Sequence, residues 1–180
     1  MSQQIQVPRL TSGDVVELIL ADHRTFEELL RTLRDSSSDR EAARRAFATL
    51  HVAHAEAEEL KVYPTLRHKD AISEGEEDHG EEEHAQGHEA LLDVLEAQEL
   101  EGADFDELVE RLAEVVNHHL TEEELTILNP ARDEVEADVL HRLGKDFVEE
   151  RNRLIDEGCG DIENVRAIVA EAHGKGLLED

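Results

Sequence analysis

Five histidines and two glutamates stand where a helical chain would otherwise bury apolar side chains. His54 and Glu58 are four residues apart, as are His84 and His88, and His119 with Glu123 repeats the His-x-x-x-Glu spacing. Residues four apart on a helix share one face, one turn from each other. His54 and Glu58 continue a stripe of Ala43, Phe47 and Leu50, and His84 and His88 lead into Leu91, Leu92 and Leu95. His119 and Glu123 lie between Leu108, Leu112, Val115 or Val116 and Ile127, while His23 sits between Ile19 and Phe26. An unpaired imidazole or carboxylate in an apolar core costs ~1–3 kcal/mol or more. Seven of them would consume a typical domain stability of ~5–15 kcal/mol. A shared cation removes that cost, because each imidazole lone pair and carboxylate oxygen becomes a ligand.

The donor set limits the metal. Five imidazoles and two carboxylates exceed the four ligands of one zinc ion and suit two six-coordinate ions. Imidazole with carboxylate favours iron, with copper, nickel or manganese compatible on softness grounds. If two carboxylates and an oxo or hydroxo group bridge the pair, a metal with three imidazoles is saturated. A metal with two imidazoles keeps one position for O₂, peroxide, NO or azide.

Helices must position these groups. Periodicity in steps of three or four predicts helices over about 13–34, 39–66, 74–100, 105–128, 130–156 and 161–173. Asp14/Glu17, Ser38/Glu41, Ser73/Glu76 and Asp104/Glu107 have capping-box spacing at four of the starts. Pro64 is expected to end the second helix, and Asn129-Pro130 to cap and open the fifth. The acidic run from Ser73 to Glu83 opposes helix there, and Pro8 lies in an N-terminal arm read as frayed. The fifth helix carries a stripe of Val135, Val139, Leu143, Phe147 and Leu154, and Gly158-Cys159-Gly160 breaks it.

A weak internal repeat relates the site's halves. His54-Ala-Glu-Ala-Glu58-Glu59-Leu60 resembles His119-Leu-Thr-Glu-Glu123-Glu124-Leu125 at an offset of 65, and His23 and His84 each precede a Leu-Leu pair. Two hairpins related by a pseudo-twofold give an all-α, up-down four-helix bundle with additional C-terminal helices. The expected organisation is an arm at 1–12, the bundle at 13–130 and a C-terminal helical extension at 131–180.

The bundle pattern resembles the hemerythrin family, specifically the bacterial HHE cation-binding domain proteins. The residues that carry the resemblance are Asp22-His23, His54-x-x-x-Glu58-Glu59 with Val62-Tyr63-Pro64, Glu83-His84 with His88, and His118-His119 with Glu123-Glu124, over about 14–130. The resemblance implies a non-haem di-iron site, oxo or hydroxo bridged. His84, His88 and His119 would hold one iron, His23 and His54 the other, and Glu58 with a carboxylate of the fourth helix would bridge. The family's last carboxylate follows the last histidine by four or five residues, so Glu123 and Glu124 both qualify. Glu123 lies ~40° around the helix from His119 and Glu124 ~140°, which favours Glu123. A second departure is the ending Leu128-Asn129-Pro130, one residue longer than the family's aromatic-Pro. Glu124, His118, His51 and Tyr63 stand as alternates or as supports for the ligands. His68, His79, His141 and His173 fall outside the stripes and are expected in solvent.

Composition sets the outer limits. With 46 acidic and 18 basic residues the formal charge is −28, which repels nucleic acid and anionic membranes. Strong acidity with few aromatics can signal disorder, but the helical periodicity opposes that reading. One cysteine excludes an internal disulfide, and no signal or spanning segment is evident, so a cytoplasmic location is expected. Function then divides between binding, sensing or storing O₂, NO, peroxide or iron, and a di-iron enzyme with catalase-like or NO-reducing activity. A ferritin-like oxidase has its Glu-x-x-His spacing only at Glu81/His84 and Glu76/His79, in the acidic run, and lacks the further core glutamates. A metal-free interaction bundle is the blandest alternative. Whether the chain is an enzyme and what its oligomeric state is, a homodimer included, are not legible at this level.

Overall fold

The structure, a computed structural model, describes residues 4–179, and no strand occurs among them. The first three residues of the expected arm and the last residue of the expected extension lie outside the described residues. Four long helices close a ring: α1 (Val15–Arg34), α2 (Arg40–Ala57), α4 (Glu74–Glu96) and α5 (Ala103–Glu123). Each packs on the next, and α5 returns to α1, which makes the four-helix bundle. A short α3 (Tyr63–His68) extends the line of α2, and α6 (Asn129–Glu134) extends that of α5. Beyond these, α7 (Ala137–Asp156) lies on α1 and α2, and α8 (Ile162–Gly174) lies on α4.

Local chemistry explains most helix starts. The Asp14 carboxylate accepts from Val16 N–H, and Ser73 and Glu76 form a reciprocal capping box at α4. Of the four expected boxes only the one at Ser73 closes among the described residues: Asp14 caps α1 without Glu17 reaching back, and the other two do not form. Asp39 rather than Ser38 caps α2, and α5 starts at Ala103 behind Gly102, which takes φ 92°. The acidic run after Ser73 is helical after all. Glu74, Glu76 and Glu77 occupy the first turn, where the free amides and the helix dipole favour negative charge. The expected fifth helix is two helices, parted where Val135 adopts extended backbone and buries its side chain.

Neither proline stops its helix. A π-helical turn, Glu58–Val62, joins α2 to α3, and a second, Glu124–Leu128, joins α5 to α6. Pro64 and Pro130 each follow two residues later. Proline has no N–H to donate, and its ring crowds the carbonyl one turn back. A turn with i→i+5 hydrogen bonds, Tyr63 N–H to Glu58 and Asn129 N–H to Glu124, relieves both problems without ending the helix. Leu60 and Leu125 lie on these turns, 65 residues apart, and are pushed outward to 58% and 60% exposure.

The core has an apolar end built on Phe26, Leu30, Phe47, Leu91 and Leu112, a second end where Ile19, Val62, Leu66, Leu143 and Phe147 meet, and a third cluster of Val52, Leu154 and Val165 under α8. The arm is not frayed from Gln4 onward. Arg151 donates to Pro8 O (3.0 Å) and Asn152 to Leu10 O (3.0 Å), so α7 pins it. The π turns set the register beyond them. Leu128→Ala, which empties a buried position, should cost about 2–5 kcal/mol in denaturant unfolding, whereas Leu125→Ala should change stability by less than about 0.5 kcal/mol.

Candidate metal centre

Between the two apolar ends lies a polar layer. His23 on α1, His54 on α2, His84 and His88 on α4, and His119 on α5 are all 2–4% exposed, and Glu58 and Glu123 are 0–1% exposed. Two groups offer one nitrogen or carboxylate oxygen per residue with all these atoms within 4.8 Å of one another. One comprises His23, His54, Glu58 and Glu123, and the other Glu58, His84 and His119. Glu58 belongs to both.

Each imidazole of these groups has one nitrogen facing outward onto a carboxylate. His54 Nδ1 donates to Asp22 (2.9 Å), His84 Nδ1 to Glu59 (2.8 Å), His119 Nδ1 to Glu83 (2.9 Å) and His23 Nδ1 to Glu124 (2.8 Å). Carboxylates only accept, so each ring carries a proton on Nδ1, which leaves the inward Nε2 as the nitrogen that a metal would bind once its own proton is displaced. The inward atoms crowd together. His54 Nε2 lies 3.0 Å from Glu58 Oε1, His84 Nε2 lies 3.0 Å from Glu58 Oε2, and His23 Nε2 lies 3.0 Å from Glu123 Oε2.

The pseudo-twofold is visible in these pairings. Asp22 and Glu83 each precede a cluster histidine and brace the histidine of the next long helix. Glu59 and Glu124 each follow a central glutamate and brace a histidine of the other half. Glu123 points inward as the helix angle predicts, and Glu124 reaches in from the rim with 46% of its side chain exposed.

His88 is brought to the layer but not into either 4.8 Å group. Its ring stands perpendicular to His51 at 4.6 Å between centroids, and His51 in turn lies on Phe47. Gly87 makes room for His51, since a Cβ there would stand 2.6 Å from its Nε2. Gly80 does the same for Tyr63, whose ring edge would lie 2.9 Å from a Cβ. The Tyr63 hydroxyl donates to Glu123 Oε1 at 2.7 Å and lies 3.4 Å from Glu58 Oε2. His118 is 62% exposed, as expected outside the core face. His68, His79 and His141 are exposed and His173 half-buried.

Sequence reasoning quoted Asp22, Glu59 and Glu83 as part of the pattern but gave them no role. It missed Arg151, whose guanidinium is fully buried and grips Asp22 with Nε (2.8 Å) and Nη2 (2.7 Å). The signal was present. On α7 the stripe Leu143, Phe147, Leu154 skips one turn, and Arg151 fills it. A surface cleft between residues 4–9 and α2 lies elsewhere, and none of the clustered histidines lines it.

Burial and charge pull the histidines apart. Burial disfavours the charged form of His54, but Glu58 and Asp22 outweigh it and hold its pKa up at about 10. His84 is held at about 10 against burial by Glu58 and Glu59, and the two histidines keep the Glu58 carboxyl well below its usual range. Burial, with the nearby charge of His84, pushes His88 down to about 3, and burial likewise drives His51 well below its ordinary value.

A metal fits this layer. Among the described residues, Nε2 of His54, His84, His88 and His119 and Oε1 of Glu58 are buried with no hydrogen bond. Several unsatisfied atoms at ~1–3 kcal/mol each call for a shared partner. The atoms are nitrogen and oxygen only, a set suited to a first-row transition metal.

Comparison with known proteins agrees. The family model described as the hemerythrin HHE cation binding domain matches residues 14–131, which spans most of the chain. No curated protein and no solved structure matches. The match and the buried histidine–glutamate cluster together make this layer a metal-binding site.

The metal-free protein should have a bounded stability window. His54 and His84, raised to about 10, contribute stability that is full below the unfolded value near 6.5 and lost as pH rises through about 10. His88, depressed to about 3, contributes stability that is full above 6.5 and lost as pH falls toward about 3, and the depressed His51 loses its contribution on the acid side in the same direction. Glu58, also depressed, adds to the acid loss. Each proton contributes a slope of up to about 1.4 kcal/mol per pH unit. The melting temperature of chelator-treated protein should therefore peak near pH 6.5 and fall on both sides, toward about 10 and toward about 3. A maximum below pH 5 would contradict these assignments.

Proposed function

This chain belongs to the hemerythrin HHE cation-binding family, and from that premise we propose that it is a non-haem di-iron protein that binds O₂ or a related small ligand, such as NO or peroxide. The observation that carries this reading is the sharing of Glu58 between two buried ligand groups, with Glu123 beside it. A carboxylate common to two clusters is what a two-metal site needs and a one-metal site does not.

In this reading His84, His88 and His119 hold one iron, and His23 and His54 hold the other. Glu58 and Glu123 bridge. The unpaired, buried Nε2 of His88 supports its inclusion although it stands outside both tight groups. Two irons held there would supply redox chemistry and the affinity for a small ligand. The chain's own part is to hold each ring by its Nδ1 hydrogen bond, to keep the Nε2 lone pairs inward, and to exclude bulk water with Phe26 and Phe147. These two rings meet His54 edge-on at 5.2 and 5.8 Å.

A second reading, a di-iron enzyme with catalase-like or NO-reducing activity, draws on Tyr63. Its buried phenol keeps a proton against both central carboxylates, and burial with the charges of Glu123 and Glu58 holds its pKa well above the usual value. It carries a proton at the cluster and belongs to neither ligand group.

The test is purification without chelators, an iron count, and visible spectra with O₂, azide and peroxide. Ligand binding predicts about two irons per chain and a reversible O₂ band. Rapid O₂ evolution from peroxide that Tyr63→Phe abolishes would establish the enzyme reading instead. His54→Ala should lose most bound iron and His141→Ala should retain it. Equal retention in both would refute the ligand assignment.

A further inference from the structure

Arg151 lies outside the residues that the family model matches, on the C-terminal extension, yet its side chain ends against the metal layer. A buried cation costs several kcal/mol unless it is paired and hydrogen-bonded. Arg151 is fully paired. It grips both oxygens of Asp22 and donates to Pro8 O (3.0 Å) and Asn152 Oδ1 (3.1 Å). Asp22 Oδ2 also accepts from His54 Nδ1 at 2.9 Å. A continuous chain therefore runs from α7 through Arg151 and Asp22 to His54.

The other half of the pseudo-twofold lacks this chain. Glu83 braces His119 as Asp22 braces His54, but its second oxygen meets only His118 at 3.3 Å and His79 at 3.4 Å, both more than half exposed. That oxygen has no hydrogen-bond partner among the described residues. Rotation of Glu83 is limited by one hydrogen bond, whereas Asp22 is clamped in plane by a two-pronged guanidinium.

We propose that Arg151 is a positioning residue for the metal position formed by His23, His54, Glu58 and Glu123, and that through it the docking of α7 and metal occupancy at that position support each other. The inference rests on the di-metal reading above. Groups that orient a metal-bound imidazole are typically worth about 10–100-fold in metal affinity. By linkage, a metal that tightens when α7 is docked must also tighten the docking of α7. The two metal positions are thereby unequal: one is secured by the bundle alone, the other also by the extension.

The experiment is cobalt(II) titration of the metal-free full chain, followed by visible absorption, for wild type, Arg151→Met, Arg151→Lys, Asp22→Asn and the Asp22→Asn/Arg151→Met double variant. Wild type should take up two equivalents. Arg151→Met should bind one as wild type does and the other about 10–100-fold more weakly, with a changed spectrum for that ion alone. Arg151→Lys should fall between, and the double variant should bind no more weakly than Asp22→Asn, because both changes break one chain. Trypsin cleavage after the exposed Arg142 and Lys145 should slow with the second equivalent in wild type and not in Arg151→Met. Both equivalents binding to folded Arg151→Met as in wild type would overturn the proposal, as would additive losses in the double variant. If Arg151→Met loses its helical circular dichroism, Arg151→Lys and Asp22→Asn carry the same two tests. Failure of wild type to take up any cobalt would instead overturn the di-metal reading itself, and this inference with it.

Discussion

A buried imidazole has two nitrogens with opposite needs, and the structure depends on meeting both. One nitrogen must give its proton to an acceptor, and the other must face a cation or leave its lone pair unsatisfied. Four helices meet the first need with Asp22, Glu59, Glu83 and Glu124, each braced against a different ring. The second need converges at the bundle's centre on Glu58 and Glu123. The outer carboxylates lie on the same helices as the inner ligands, one residue away from a cluster histidine or glutamate. A dipeptide therefore supplies both an inward and an outward function, since neighbouring residues point about 100° apart around a helix.

Other features follow from packing so many rings into one layer. Gly80 and Gly87 on α4 clear space for Tyr63 and His51, and no larger residue fits without moving those rings. The π turns begin at Glu58 and immediately after Glu123, so each central carboxylate sits at the edge of a widened turn. Pro64 and Pro130 sit just past these turns, which carry the chain on into α3 and α6 with i→i+5 hydrogen bonds. The extension then covers the α1–α2 side, bringing Phe147 and Arg151 to the His54 half alone.

Much of this was legible in the sequence because the stripes are clean. An imidazole at a position where periodicity demands an apolar residue is a conspicuous break, and His23, His54, His84, His88 and His119 all make one. The 65-residue offset relating the two hairpins reappears in the structure as the paired exposure of Leu60 and Leu125. What periodicity missed shares a physical cause. Pro64 reads as a terminator and Pro130 as the opening of a new helix, yet a π turn carries the chain past each without ending the helix. Arg151 fills a gap in the α7 stripe by the same logic as the histidines, but a stripe read for its apolar members passes over the turn it skips. Asp39 and Gly102 stand at the starts of α2 and α5, so the spacings Ser38/Glu41 and Asp104/Glu107 mark the neighbourhood of each start but not its first residue. The −28 charge, consistent at first with disorder, is carried mostly by outer helix faces. Of the many carboxylates, those at Asp22, Glu58, Glu59, Glu83, Glu123 and Glu124 are bound into the central layer.

The central claim is that two metal ions share the carboxylates of Glu58 and Glu123 inside the bundle. Anomalous diffraction at the iron edge, from crystals of protein purified without chelators, tests it most directly. The account predicts two neighbouring anomalous peaks, one touching His23 and His54 and the other His84 and His119, with Glu58 reaching both. A single peak, or peaks confined to the acidic outer faces, would contradict it.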